Sequence, residues 1–238
     1  VLIIGVLGNG FFGAGIRAVL DRELNILRRF KVAPIAPLPL LVASMVTGWV
    51  HYIPSAILIL GSAHLLYGMP VPERWLSLVV LLTIGIISFR AVGLIIASVV
   101  NSMQESQIVI QLFYLPMLFL SGATIPVTSL PSWLQVAAQF LPASHLFSGM
   151  QGIMVRKESL ADNMPAVGAL LVTTVLATLL SVKLFRWEKE EKVRASAKLW
   201  LAAVLAPFLV LGAWQAHTRD NIRKAKIVGR DMRRSHTL

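Results

Sequence analysis

The chain of 238 residues has no cysteine and little charge: Asp, Glu, Lys and Arg together make up 14% of it. The missing cysteines exclude disulfides and thiolate metal sites. The shortage of charge excludes an ordinary soluble domain, in which about a quarter of the residues are charged. No G-x-x-x-x-G-K-[ST] loop occurs, so the chain has no phosphate cradle of its own for ATP. Paired carboxylates within apolar runs are also missing, and His51, His64 and His145 have no acidic neighbour in sequence, which argues against an intramembrane enzyme. His51 and His64 do not fall on one helix face as i, i+4 ligands would, so no metal site is expected.

What is present is apolar. Hydrophobic residues make up 56% of the chain and the mean hydropathy is +0.75. Runs near the roughly 20 residues that cross a bilayer occupy 1–19, 40–67, 76–100, 108–123 and 165–184, and a shorter run, 199–214, spans or lies at the surface. The expected fold class is all-α, a polytopic helical membrane protein. The net charge of +11 comes from basic residues clustered beside these runs, as the positive-inside rule requires, and does not call for a nucleic-acid partner. With alternating spans, the basic residues of 17–31 and 183–198 fall on one side, expected to be cytoplasmic. Arg74, Arg156 and Lys157 fall on the other. The basic tail, Arg219 to Arg234, fits this only if 199–214 does not cross or if the tail leads into a larger domain. Val1 already lies inside an apolar run, so further sequence is expected ahead of it.

The first run is rich in glycine. Gly8, Gly10 and Gly13 match G-x-G-x-x-G, but no strand precedes them, and close helix packing is the better explanation. Residues 17–32 read as a basic amphipathic helix at the membrane surface. Leu20, Leu24 and Leu27 share a face; Asp21 and Glu23 come early and Arg28, Arg29 and Lys31 late, as the helix dipole favours. Two readings stand, a solvated linker or a docking helix that receives force from a cytoplasmic partner. Pro34, Pro37 and Pro39 end it, and Pro54 is a kink candidate in the next span. Arg90 lies inside the run 76–100, where it is either a functional polar group or a side chain snorkelling to the nearer interface.

The stretch 112–152 organises the rest. Its apolar opening is broken by Gly122, Pro126 and Pro131. Residues 132–141 then place Trp133, Leu134, Val136, Ala137, Phe140 and Leu141 at helical spacing, until Pro142 ends the segment. An apolar run, a break and a short amphipathic return describe a re-entrant membrane element, tolerated at depth only where protein or a water-filled cavity covers it.

Over about Gly5 to Trp187, these features resemble the transmembrane subunit of ABC exporters, the ABC type-2 permeases. Three stretches carry the resemblance: "LDRELNILRRFKVAPIAPLPLL", the short link "VVNSMQESQ", and "LFLSGATIPVTSLPSWLQVAAQFLPASHLFSGMQGIM". The last is the most specific, with Ser121, Gly122, Pro126, Leu130, Pro131, Trp133, Leu134 and Pro142 filling the family's L-S-G-x-x-x-P-x-x-x-L-P-x-W-L-x-x-x-x-x-x-x-P-x-x-x pattern. The resemblance implies a permease domain over 1–187, its first span missing, followed by a linker, an extra apolar helix and a basic tail over 188–238. It implies a multi-pass protein of the inner or plasma membrane that pairs with a second permease subunit, in a homo- or heterodimer, and with an ATPase subunit. ATP and Mg would be bound by that partner and no cofactor by this chain. Asp21, Arg22, Glu23, Leu27, Arg28 and Arg29 would form the coupling helix against the ATPase. Gly122, Pro126, Leu130, Pro131, Trp133 and Pro142 would belong to a pair of short helices sealing the outer end of the path. Two alternatives remain, a membrane anchor for a downstream and enzymatic domain, and a membrane scaffold without transport.

Overall fold

A computed structural model describes residues 1–32 and 35–188; the expected apolar run 199–214 and basic tail lie outside the described residues. All regular structure among the described residues is helical. Helix α1 runs over Leu2–Glu23 with a π-helical segment, Asn9–Ile16, in its middle. It is followed by α2 (Ile26–Val32), α3 (Pro37–Tyr67), α4 (Trp75–Val99), α5 (Met103–Leu120), α6 (Ser132–Ala138), α7 (Pro142–Met154) and α8 (Met164–Leu184).

The organising element is α4. From Ser88 to Val99 every residue is buried, with Phe89, Ile95 and Ile96 fully enclosed. The π-helical part of α1 packs on one flank, α8 on another and α3 on a third. Glycine makes the first contact possible. A Cβ on Gly93 would lie 2.3 Å from the carbonyl oxygen of Gly10, and one on Gly10 would lie 2.5 Å from Cβ of Phe89. Backbone thus rests on backbone, the arrangement that small residues permit between membrane helices. The expected role of the glycines holds for Gly10, whereas Gly8 faces open space.

Several boundaries depart from expectation. The single interfacial helix predicted over 17–32 is two pieces, broken at Asn25, whose φ of 56° is left-handed. Residues up to Glu23 continue the first span because Arg22 and Glu23 bond to neighbouring helix ends, so the dipole argument for one helix does not apply. Asp21, Arg22 and Glu23 therefore sit on α1, while Leu27, Arg28 and Arg29 sit on α2.

The fourth predicted span begins five residues early. Ser102 Oγ accepts from the N–H of Glu105 at 3.1 Å, and Glu105 Oε2 accepts from the N–H of Asn101 at 2.7 Å. This reciprocal cap turns the expected polar link into the first turn of α5. Four helical stretches among the described residues are long and apolar enough to cross a membrane: α1, α3, α4 and 161–184, which contains α8. The polar start of α5 keeps it out of that set. Pro142, predicted to stop a helix, instead starts α7 as a first-turn proline, where its missing N–H costs nothing.

Candidate functional site

Residues at one end of the bundle close on the link between α4 and α5. Arg22, 3% exposed, donates from Nη1 to Ala97 O and from Nη2 to Val100 O, both at 2.7 Å. Arg186, beyond α8, donates from Nε to Ser98 O at 3.0 Å, from Nη1 to Asn101 Oδ1 at 3.1 Å, and also to Val100 O. The last carbonyls of a helix lack intrahelical donors and carry the negative end of its dipole, so two guanidinium forks satisfy both needs. Glu23 Oε1 accepts from the N–H of Met103 at 2.9 Å, at the opposite-signed start of α5. Residue order alone does not single out Arg186. Its only signal was an arginine just past an apolar run, indistinguishable there from a topology marker.

Just beyond the break, Leu27 is buried and anchors α2, while Arg28 and Arg29 are exposed. Asp21 pairs back along α1 with Arg17 at 3.0 Å. The predicted coupling residues are thus split: Arg22 and Glu23 tie helices together, and Arg28 and Arg29 present charge outward.

At mid-span, Arg90 does not snorkel. It is 5% exposed and donates from Nη1 to Asn9 Oδ1 at 2.7 Å and from Nη2 to Ser44 Oγ at 3.0 Å. Asn9 in turn donates to Gly48 O at 3.2 Å. A Cβ on Gly48 would lie 2.1 Å from Cδ of Arg90, so only glycine leaves room for the side chain. Helices α1, α3 and α4 meet around this one cation.

At the other end, α5 gives way to the predicted break. Gly122 has φ 90°, and a Cβ there would lie 2.7 Å from Cε1 of Phe147. Backbone conformation and close approach both demand glycine. Ser121 and Thr124 hydroxyls donate to Leu118 O at 3.2 and 3.0 Å and round off the helix end. Pro126 leads a 3₁₀ turn, Val127–Ser129, and Pro131 caps α6. Gln135 Nε2 donates to Leu130 O at 2.8 Å, and His145 Nε2 donates to Gln139 O at 3.2 Å, joining α6 to α7. Trp133 is 68% exposed on α6. Between these elements lies a cavity of about 640 Å³, walled in part by Ser121, Thr128, Gln135, Gln139, Ser144 and Gln151. Among the described residues its polar groups are hydroxyls, amides and the imidazole of His145, without a carboxylate, ammonium or guanidinium. Gly122 and Pro126 line it, Leu130, Pro131 and Trp133 belong to the turn and helix beside it, and Pro142 opens the helix that closes it.

Comparison with known proteins decides the family. The ABC-2 type transporter family matches residues 1–155, which take in α1 to α7. This chain belongs to that family. The family accounts for a multi-pass helical membrane protein, and it is one of transport proteins rather than enzymes. Among curated relatives of this ABC-2 family chain is nodulation protein J of Rhizobium leguminosarum bv. trifolii, 34% identical over 116 residues, or 48% of this chain and 44% of the relative. The linearmycin resistance permease protein LnrN of Bacillus subtilis is 26% identical over 144 residues, 59% of this chain and 35% of the relative. The probable multidrug ABC transporter permease YbhR of Escherichia coli is 24% identical over 166 residues, 70% of this chain and 45% of the relative. The chain thus spans less than half the length of each of these relatives. No solved structure matches it.

Proposed function

We propose that this chain is the permease part of an ATP-driven ABC exporter, forming the substrate path and coupling to a separate ATPase subunit. The family match across α1 to α7 carries the proposal. The absence of a phosphate loop from the 238 residues supports the reading that ATP and Mg are bound, and ATP hydrolysed, outside them. In this reading α2 is the docking surface for the ATPase, held by Leu27 and offering Arg28 and Arg29. Motion imposed on α2 passes through Asn25 to the last turn of α1. There Arg22 and Glu23 grip the two sides of the α4–α5 link, and α5 leads directly to Gly122. The element from Gly122 to Pro142 acts as the outer gate, and its neutral hydroxyl and amide cavity is the last part of the path.

A second permease subunit completes the path across the dimer, in the inner or plasma membrane. Reconstitution of the full-length protein in liposomes with its ATPase tests this. ATP-driven transport that disappears when the ATPase phosphate loop is disabled is expected. Energised transport by the permease alone overturns it.

A further inference from the structure

We propose that a cavity walled by α1, α2 and α3 binds a membrane amphiphile with an acidic head group, and that Arg90 is the cation holding the acid. The cavity measures about 860 Å³, within the range that takes a ligand of several hundred daltons. Arg90, Ser44, Thr47 and His51 line its polar part, and Phe12, Ile16 and Leu94 belong to its apolar wall.

The charge balance calls for an anion. Arg90 is buried, and the partners it has among the described residues, Asn9 and Ser44, are neutral. Its Nε has no hydrogen-bond partner although it is shielded from solvent. Neutral acceptors orient a guanidinium but do not cancel its charge, and an unbalanced buried charge is costly. Arg17 and Asp21, the other charged residues lining the cavity among the described residues, pair with one another and cancel. Among the described residues one positive charge is left over, at a depth where charges mark functional sites.

The surroundings select an amphiphile over a soluble anion. Ile26, Leu27 and Phe30 of the surface helix α2 border the cavity together with Leu40 and Leu41. Ala43 and Thr47 line it from the exposed face of α3, which also exposes Val42 and Val46. A ligand arriving this way meets apolar side chains before it meets the cation, so it must carry an apolar part of its own. Asn9, Phe12, Gly13 and Ile16, part of the wall contributed by α1, lie in its π-helical segment, a conformation that recurs at functional sites.

Native mass spectrometry of the full-length protein, delipidated in a neutral detergent, tests the proposal. The probes are phosphatidylglycerol, phosphatidylcholine of the same chain length, and inorganic phosphate. A preference of about tenfold for phosphatidylglycerol over phosphatidylcholine is expected from one charge-assisted contact. Arg90→Gln, which keeps an amide donor for Asn9, should level the two lipids. Ala43→Trp fills the cavity from the exposed face of α3 and replaces none of the partners of Arg90. It should weaken both lipids and leave the melting temperature unchanged, and it carries the test if Arg90→Gln does not fold. Equal binding of the two lipids by the unmodified protein overturns the proposal, as does a preference that survives Arg90→Gln or binding that survives Ala43→Trp. Inorganic phosphate binding as tightly as phosphatidylglycerol also overturns it, and so does no lipid binding at all, the outcome if another protein segment fills the space.

Discussion

Arg22 and Arg186 donate to the same backbone oxygen, the carbonyl of Val100 just past the end of α4. One comes from the end of the first span and the other from beyond the last described helix. Between them they also take the carbonyls of Ala97 and Ser98. The most buried of the described helices is therefore closed by two cations belonging to its neighbours, and its end cannot move without moving both.

Arg22→Met should lower stability by about 2 kcal/mol, because it takes the side-chain donor from the buried carbonyl of Ala97 and one of two from that of Val100. Arg22→Lys should recover only part of this, since an ammonium does not span two carbonyls as a guanidinium fork does. Thermal unfolding in detergent measures both; a Met variant as stable as the parent would remove the clasp from the fold's energetics.

The contact between α1 and α4 gives a sharper contrast. Gly93→Ala puts a methyl 2.3 Å from the carbonyl oxygen of Gly10, where neither backbone can yield without separating the helices. A loss of the monodisperse species in size-exclusion chromatography is expected. Gly8→Ala, two residues from Gly10 but facing open space, should leave the profile unchanged.

Charge reversal on α2 separates coupling from folding. Arg28 and Arg29 are exposed, and surface changes of this kind shift stability by about 0.5 kcal/mol or less. Arg28→Glu with Arg29→Glu should therefore keep the melting temperature while abolishing stimulation of the partner's ATPase by the permease. Retained stimulation would assign α2 to a passive linker.

Acid should loosen the loop between α7 and α8. Arg156 hydrogen-bonds Glu158 at 2.6 Å and holds its carboxyl below the ordinary 4.5, with Asn163 adding a weaker bond and Asp162 opposing. A depressed carboxyl stabilises the fold above its ordinary value and loses that contribution as pH falls through the lowered one. Melting temperature should hold from neutral pH down to about 4.5 and then decline. Glu158→Gln should remove this part of the decline, and an unchanged pH profile would show the pair to be idle.

Much of this could be read from residue order alone. The apolar runs placed α3, α4 and α8 to within a few residues, and Gly122, Pro126 and Pro131 marked the break after α5 because each restricts the backbone locally. What escaped depends on partners far away in sequence. Arg22 reads as one more basic residue on an amphipathic helix until α4 supplies its carbonyls. Pro142 reads as a stop because its missing N–H is equally compatible with a start, and only the helix after it distinguishes the two. Arg90 could snorkel or stay until Asn9, Ser44 and Gly48 were brought around it.

The most direct measurement is sided labelling. The chain has no cysteine, so Trp133→Cys and Arg28→Cys each introduce a single reporter at an exposed position on α6 and α2. With a membrane-impermeant maleimide, the Trp133→Cys site is expected to react from outside the cell and not from the cytosol, and the Arg28→Cys site the reverse. Both sites reacting from the cytosolic face would contradict a gate at one end driven from a docking helix at the other.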